Sequence, residues 1–374
     1  MSERHLHIVS FDVPYPPDYG GVIDVYNRLR MLSQRGIKIH LHCYDYGRGQ
    51  QKCLEELCVE VKYYSRNAPL LSFMSCRPYI MQSRLNDKLK NDLLKDDYPI
   101  LCEGFHTAFL AEDKRFAPQR LYLRTHNIEH RYYRMLSEAE PVFWKRLFYK
   151  TESKKLKDRE WVLRNIGHVI AISQTDAEYF SKFVDDVVFV PAFNSFDRVM
   201  SKEGSGDYVL YHGNLSVREN SAAAERLMRN VFSKTSMRCV VAGHNPPQDL
   251  KTLATSIDNV SLVENPSDEA MAELIANAHV NVLVTDQPTG MKLKLLNALY
   301  LGRHCLVNSN MLYGTGLDDL CLKADTDDAL VDMLDSYAVK PFGVTDINSR
   351  SDVLDRLCSA SAGADKIIEF IEWK

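Results

Sequence analysis

Short runs of aliphatic and β-branched residues alternate along the whole chain with stretches whose apolar positions recur every three or four residues. In the first half the runs lie at 7–11, 37–44, 59–64, 100–102, 121–125, 169–172 and 187–190. In the second half they lie at 208–211, 238–242, 260–263, 280–285, 305–308 and 321–323. Strands separated by amphipathic helices predict parallel sheets covered on both faces. Runs such as HVNVLVT and RCVVAG are apolar at nearly every position, as strands buried on both sides must be.

The alternation pauses between residues 191 and 207, in PAFNSFDRVMSKEGSGD, which is rich in Ser, Gly and charge and has no sustained period. A strand-turn-helix pattern then starts afresh. The expected architecture is α/β, with two Rossmann-like domains facing each other across a cleft. Residues 1–195 form the first, residues 205–345 the second, and a helical segment at 346–374 is expected to pack back on the first.

A length of 374 residues suits two domains of ordinary size. The net charge of −4 argues against a dedicated nucleic-acid binder. That figure hides an asymmetry: residues 1–200 hold 30 basic and 26 acidic side chains, leaving 16 and 24 for the remainder. No apolar run approaches the roughly 18 residues that span a bilayer. The opening MSERHLHIVSF leads almost directly into a strand, which predicts no signal peptide and a cytoplasmic protein. Nine cysteines without a C-x-x-C pair are expected to be reduced thiols, and no metal site is expected.

In open parallel sheets ligands bind beyond the carboxyl ends of the strands, so the loops there carry the candidate chemistry. Gly20-Gly21 follows the first strand and opens a helix, where backbone amides suit an anion; a plain tight turn explains the pair equally well. The spacing is not the dinucleotide fingerprint. His126 and His106 stand at two further strand exits, where imidazole can donate to a hydroxyl or act as a base; a structural role competes, more so for His106. The richest stretch is TGMKLKLLNALYLG (289–302), which follows a buried strand. Its helix is apolar nearly all round, yet Gly290, Lys294 and Asn297 share one face. A lysine on such a helix needs a partner, and an anionic ligand with Lys292 nearby would supply one; an internal ion pair is the alternative. His212-Gly213-Asn214 with Arg218, and Gly243-His244-Asn245, end two more strands of the same half, and Arg218 is suited to phosphate. The acidic Asp325-Thr-Asp327 is read as a helix cap rather than a metal site. Walker A, G-x-S-x-G and H-E-x-x-H patterns are absent.

The stretch YHGNLSVRENSAAAERL…VVAGHNP…LVENPSDEAMAELIANAHVNVLV…TGMKLKLLNALYLGRHCLVNS resembles the donor domain of family 4 glycosyltransferases, which have the GT-B fold, over roughly residues 205–320. The Gly20-Gly21 loop and His126 match the family's first domain more loosely. The resemblance implies metal-independent sugar transfer from a nucleotide-diphosphate donor with retention, to a glycan or lipid-linked acceptor in polysaccharide assembly, without a bound cofactor. It implies that Gly290, Met291, Lys292 and Lys294 hold the diphosphate, with Gly213, Asn214, Arg218, Gly243 and His244 beside it. Asn297 would face the ribose and Asn265-Pro266 the base. His126 would stand at the transferred sugar and Gly20-Gly21 would help close the site; His106 is grouped with them on the acceptor side by its strand exit alone. The sequence departs from the family at two points. Two glutamates usual there are replaced by Thr289 and Asn297, and a usual Arg and Lys by Asn214 and Glu219. A non-catalytic scaffold and a nucleotide-sugar epimerase are the alternatives, the latter needing Glu103 or Glu129 as acid and base. Residues 145–164 hold eight basic and three acidic side chains with aromatics between them, as a helix resting on an anionic membrane would.

Overall fold

The computed structural model describes residues 3–67, 75–196, 198–286 and 293–373. The described chain forms two compact units, 1–195 with 358–374, and 196–357. The first holds a seven-stranded sheet of order β3-β2-β1-β4-β5-β6-β7. Its strands are β1 His5–Ser10, β2 Lys38–Asp45, β3 Glu60–Ser65, β4 Ile100–Glu103, β5 Leu121–Arg124, β6 His168–Ala171 and β7 Asp186–Phe189. The second holds a six-stranded sheet of order β10-β9-β8-β11-β12-β13. Here the strands are β8 Val209–His212, β9 Cys239–Gly243, β10 Val260–Glu264, β11 Val280–Leu283, β12 His304–Val307 and β13 Leu322–Lys323. Every pairing in both sheets is parallel. All thirteen strands fall within two residues of the predicted runs. Two parallel-sheet α/β domains of Rossmann-like order are therefore established.

Alternating side chains of each strand enter cores on opposite faces. In the first unit Val9, Cys102 and Leu123 enter one core, and Ile8, Leu101 and Tyr122 the other. In the second, Val209, Tyr211 and Val241 lie on one side, with Leu210, Val240 and Ala242 on the other.

Seven helices carry the argument: α1 Gly20–Gln34, α2 Glu129–Ala139, α3 Phe143–Arg159, α4 Arg218–Asn230, α5 Leu293–Leu301, α6 Val344–Leu357 and α7 Ala360–Phe370. The segment from 346 is not one piece. α6 belongs to the second unit, where buried Arg350 donates to the carbonyls of Gly302 and Arg303, both at 2.6 Å. Only α7 joins the first unit, where Arg35 at the C-terminal end of α1 reaches Asp365 at 2.5 Å and Lys366 donates to the Phe189 carbonyl at 2.8 Å. The basic stretch 145–164 also differs from the single surface helix expected. It comprises most of α3 and then a 3₁₀ turn, Glu160–Asn165, and it buries Glu152, Leu156, Val162 and Leu163.

Candidate functional site

In each sheet the strand order reverses beside the first strand, between β1 and β4 in one unit and between β8 and β11 in the other. Helices leaving neighbouring strands on opposite faces open a crevice at such a point. Gly20, Gly21 and His106 follow β1 and β4, and Gly213, Asn214, Arg218, Lys294 and Asn297 follow β8 and β11, the strands that border these two points.

In the first unit His126 stands just beyond β5, its Nε2 3.1 Å from Glu103 Oε2 at the end of β4. A carboxylate only accepts, so Nε2 is the nitrogen that donates and carries a proton toward Glu103. Glu103 is in turn bound by Arg28 of α1. Arg28 also donates to Asp24 at 2.6 Å, and Asp24 takes Arg124 at 3.1 Å and the Phe193 amide at 2.7 Å. The four charged members of this ladder are almost wholly buried. Burial alone would raise the Asp24 carboxyl, but Arg124 and Arg28 outweigh it and hold it well below the usual range. Asp24, Glu103 and His126 bring three ligand atoms within 4.8 Å of one another. That donor set does not suit a divalent cation, because two guanidiniums already cover and neutralise both carboxylates.

Phe11, just after β1, fits edge-on to His126 at 5.3 Å and lies against His106 at 5.1 Å. His106 leads away from β4 after Gly104, whose φ of +67° favours glycine. Its Nδ1 is buried with no hydrogen-bond partner among the described residues. Burial, then Arg84, His126 and Arg66, push this imidazole well below its ordinary pKa, so it stands neutral. Gly20 and Gly21 form the first turn of α1 rather than a loop, and neither has a positive φ. A Cβ on Gly21 would come within 2.7 Å of the Phe11 ring, so glycine there lets Phe11 pack beneath His126. Glu129, at the start of α2, is buried and pushed up to about 8 by desolvation, with Arg84 opposing and Asp176 reinforcing.

In the second unit Lys294 on α5 donates from Nζ to Asn220 Oδ1 of α4 at 3.1 Å and lies over the Tyr211 ring. His212 ends β8 with Nε2 buried and unpartnered among the described residues; burial, then Lys294, lower its pKa to about 3. Beyond β11, Thr285 donates to Glu219, and its backbone is clamped by Asn308 at 2.7 and 3.2 Å. Gly213 and Gly243 bring two strand exits together: a Cβ on Gly243 would lie 1.9 Å from the Gly213 carbonyl. The result is a crevice floor of backbone, one lysine and a neutral imidazole.

Several predicted contacts are otherwise engaged. Asn214 Oδ1 accepts from the Ser216 amide and hydroxyl at 3.1 and 2.7 Å and so shapes a turn at the β8 exit. Asn265, at φ +48°, accepts from the Asn245 amide at 2.8 Å and braces the loop, while Pro266 is buried. Arg218 and His244 are exposed, and Asn297 is half-buried one turn beyond Lys294. Gly290, Met291 and Lys292 lie outside the described residues, as does Thr289. Asp325 accepts from Ser309 at 2.7 Å, and Thr326 beside it caps the next helix. The sequence reading missed the Asp24–Arg28–Arg124 ladder and the Glu219–Thr285 pair. The one local signal for the ladder was an acid and a base four apart on an otherwise apolar helix face.

No protein-family model matches the chain. A curated Klebsiella pneumoniae protein, the "Uncharacterized 44.6 kDa protein in cps region", is 23% identical over 309 residues, covering 78% of this chain and 79% of that one. Among solved structures, a glycosyltransferase from Rickettsia africae is similar with TM-score 0.64 at 11% identity, over 99% of this chain and 98% of that one. Anabaena Alr3699/HepE, solved in complex with UDP and glucose, also gives TM-score 0.64 at 11% identity, over 98% and 99% of the two chains. A third is Arabidopsis thaliana UGT89C1 with UDP-L-rhamnose, at TM-score 0.55 and 14% identity over the full length of both. Likeness at these identities establishes the fold, and the fold is GT-B.

Proposed function

We propose that this chain is a glycosyltransferase. Its second unit holds a nucleotide-diphosphate sugar, and its first unit presents a glycan or lipid-linked acceptor to His126. The observation that carries this reading is Lys294, a cation set at the β8–β11 switch point of a GT-B chain and held by Asn220. A diphosphate there gains a charge-assisted hydrogen bond and the open backbone of the Gly213–Gly243 exits. Lys292 and Gly290 extend the same site by resemblance to the family. Retention, independence of a metal and the absence of a cofactor follow from that resemblance too. By the same resemblance, leaving-group stabilisation by Lys294 and neighbouring amides supplies the catalysis, with no carboxylate nucleophile. Solved neighbours bound to UDP and UDP-L-rhamnose favour a uridine donor, and the cps-region relative favours polysaccharide assembly.

The experiment is a thermal-shift panel of UDP, GDP, ADP, CMP and TDP, in which a ligand of the folded state raises the midpoint by mass action. UDP is expected to stabilise most. Lys294→Ala should weaken its binding about 10- to 100-fold, the equivalent of one charged hydrogen bond. No stabilisation by any of the five, or unchanged affinity in a folded Lys294→Ala protein, overturns the proposal.

A further inference from the structure

Residues 141–147, PVFWKRL, are seven consecutive exposed positions, the end of the α2–α3 turn and the first five residues of α3. Val142, Phe143, Trp144 and Leu147 are 45%, 61%, 75% and 48% exposed, an apolar cluster of the kind soluble surfaces seldom leave open. The base of the hairpin is fixed. Ser153 donates to the His130 carbonyl at 2.7 Å, Glu152 accepts from the Tyr79 amide at 2.5 Å, and Leu156 is buried. Only the tip projects. Between the two helices runs an open groove of about 1070 Å³, lined in part by Arg134, Arg146, Leu147, Lys150, Lys154 and Lys157. Arg134 and Lys157 have acidic partners, Glu138 and Glu160. Lys145, Lys150 and Lys154 form no ion pair among the described residues, and the groove's basic side chains outnumber its two acidic ones, Glu138 and Asp158.

We propose that this hairpin tip is a membrane anchor that inserts end-on into an anionic phospholipid surface. Phe143, Trp144 and Leu147 would enter the interface, and Lys145, Lys150 and Lys154 would engage headgroup phosphates along the groove. Aromatic and aliphatic side chains beside lysine and arginine are the composition such interfaces select. A second copy of the chain is disfavoured as occupant because two such tips would bring like charges together. A nucleic acid would satisfy the lysines but leave the apolar tip in water. The anchor is made by the tip alone, since the middle of α3 is committed to the core of its own unit. It does not depend on the glycosyltransferase reading, because its measurement is partition and not turnover.

The test is sedimentation of the full chain with phosphatidylcholine vesicles, with and without phosphatidylglycerol, at low and high salt. Binding is expected only to the anionic vesicles and should weaken with salt. Lys145→Gln with Lys150→Gln should lower partition about 25-fold, at roughly 1 kcal/mol per cation removed. Phe143→Ser with Trp144→Ser should remove binding while thermal unfolding stays unchanged, both sites being exposed. A blue shift of tryptophan emission on binding should vanish in Trp144→Phe, which separates insertion from mere electrostatic adsorption. The absence of binding to anionic vesicles at low salt overturns the proposal. So does binding that ignores the tip substitutions, or a concentration-dependent dimer that those substitutions abolish.

Discussion

Glu103 Oε2 lies 3.1 Å from His126 Nε2, and the same carboxylate is bound from behind by the buried guanidinium of Arg28. His126 thus leaves its strand already oriented, with its proton fixed on the nitrogen facing the protein. Arg28 and Asp24 transmit that constraint from α1, and Arg124 closes it from β5. Such backing groups fix the tautomer and direction of an imidazole as firmly as a direct ligand contact would.

The first prediction tests that relationship. Glu103→Gln keeps the shape but leaves Arg28 with Asp24 as its remaining carboxylate, which Arg124 already shares. Removing one member of a buried pair costs about 3–5 kcal/mol, so the urea midpoint should fall by a corresponding amount. The ¹⁵N shifts of His126 should move from one tautomer toward a mixture. A midpoint and a tautomer both unchanged would show that Glu103 does not hold the ring.

The second concerns acid. His7, His40 and His42 line neighbouring strands, with His7 and His42 in contact at 3.0 Å and His7 bound to Asp96 at 3.0 Å. Burial is the largest influence on each and lowers all three pKa values. Asp96 and Arg120 act in opposite senses on His7, and Lys62 and Asp92 do so on His42. As pH falls through the ordinary imidazole value of 6.5, the unfolded chain takes up protons that these rings refuse. Stability is therefore expected to be present above 6.5 and to decline below it. Urea midpoints that stay level or rise from pH 6.5 to 5 would contradict this.

Glu129 acts in the other direction. Its folded carboxyl keeps a proton to about pH 8, whereas the unfolded one releases it near 4.5. Folding therefore weakens as pH rises through that window. Asp176, raised to about 6, contributes likewise but is finished by then. Between pH 6.5 and 8 Glu129 is left to set the slope against the histidines. Glu129→Gln should flatten that upper limb and steepen the acid limb between pH 6.5 and 4.5, where the extra proton on Glu129 opposes the histidines. An identical decline in the variant would remove Glu129 as its cause.

What was legible in the sequence and what was not divides along physical lines. The thirteen strands were readable because a strand buried on both faces needs nearly every position apolar, as in CVVAG and VNVL. Lys294 was readable for the converse reason, a charge on a helix otherwise built for burial. The ladder behind His126 was not, since Arg28 meets Glu103 75 positions away and Asp24 meets Arg124 100 positions away. The turn role of Asn214 was not legible because a short amide side chain suits its own turn as readily as a ligand, and here its Oδ1 accepts from Ser216. The hairpin tip was half visible: composition showed basic and aromatic residues, but only the packing of Glu152 and Leu156 separates the free end of α3 from its buried middle.

Gly243 offers a steric test of the second unit. A Cβ at that position would overlap the Gly213 carbonyl, a backbone atom that cannot swing aside. Gly243→Ala should therefore cost about 1–3 kcal/mol, as overpacking does, and should also separate the two strand exits that would flank a diphosphate. Nucleotide-induced stabilisation should be lost in a protein that still folds. A variant as stable as the parent would mean the two loops part freely.

The last prediction separates Asn220 from Lys294. Asn220 accepts from Lys294 Nζ at 3.1 Å and donates to the Asn214 carbonyl at 3.0 Å, so it ties the lysine to the β8 exit loop. If Lys294 binds phosphate and Asn220 only aims it, Asn220→Ala should weaken UDP binding less than Lys294→Ala does, about 3- to 10-fold, near the worth of one neutral hydrogen bond. With Lys294 already removed, Asn220→Ala should change affinity no further, because the group it aims is gone. A double-mutant cycle on UDP affinity measures this coupling directly. Strict additivity would mean that each side chain meets the nucleotide independently, and Asn220 would then count as a ligand contact in its own right.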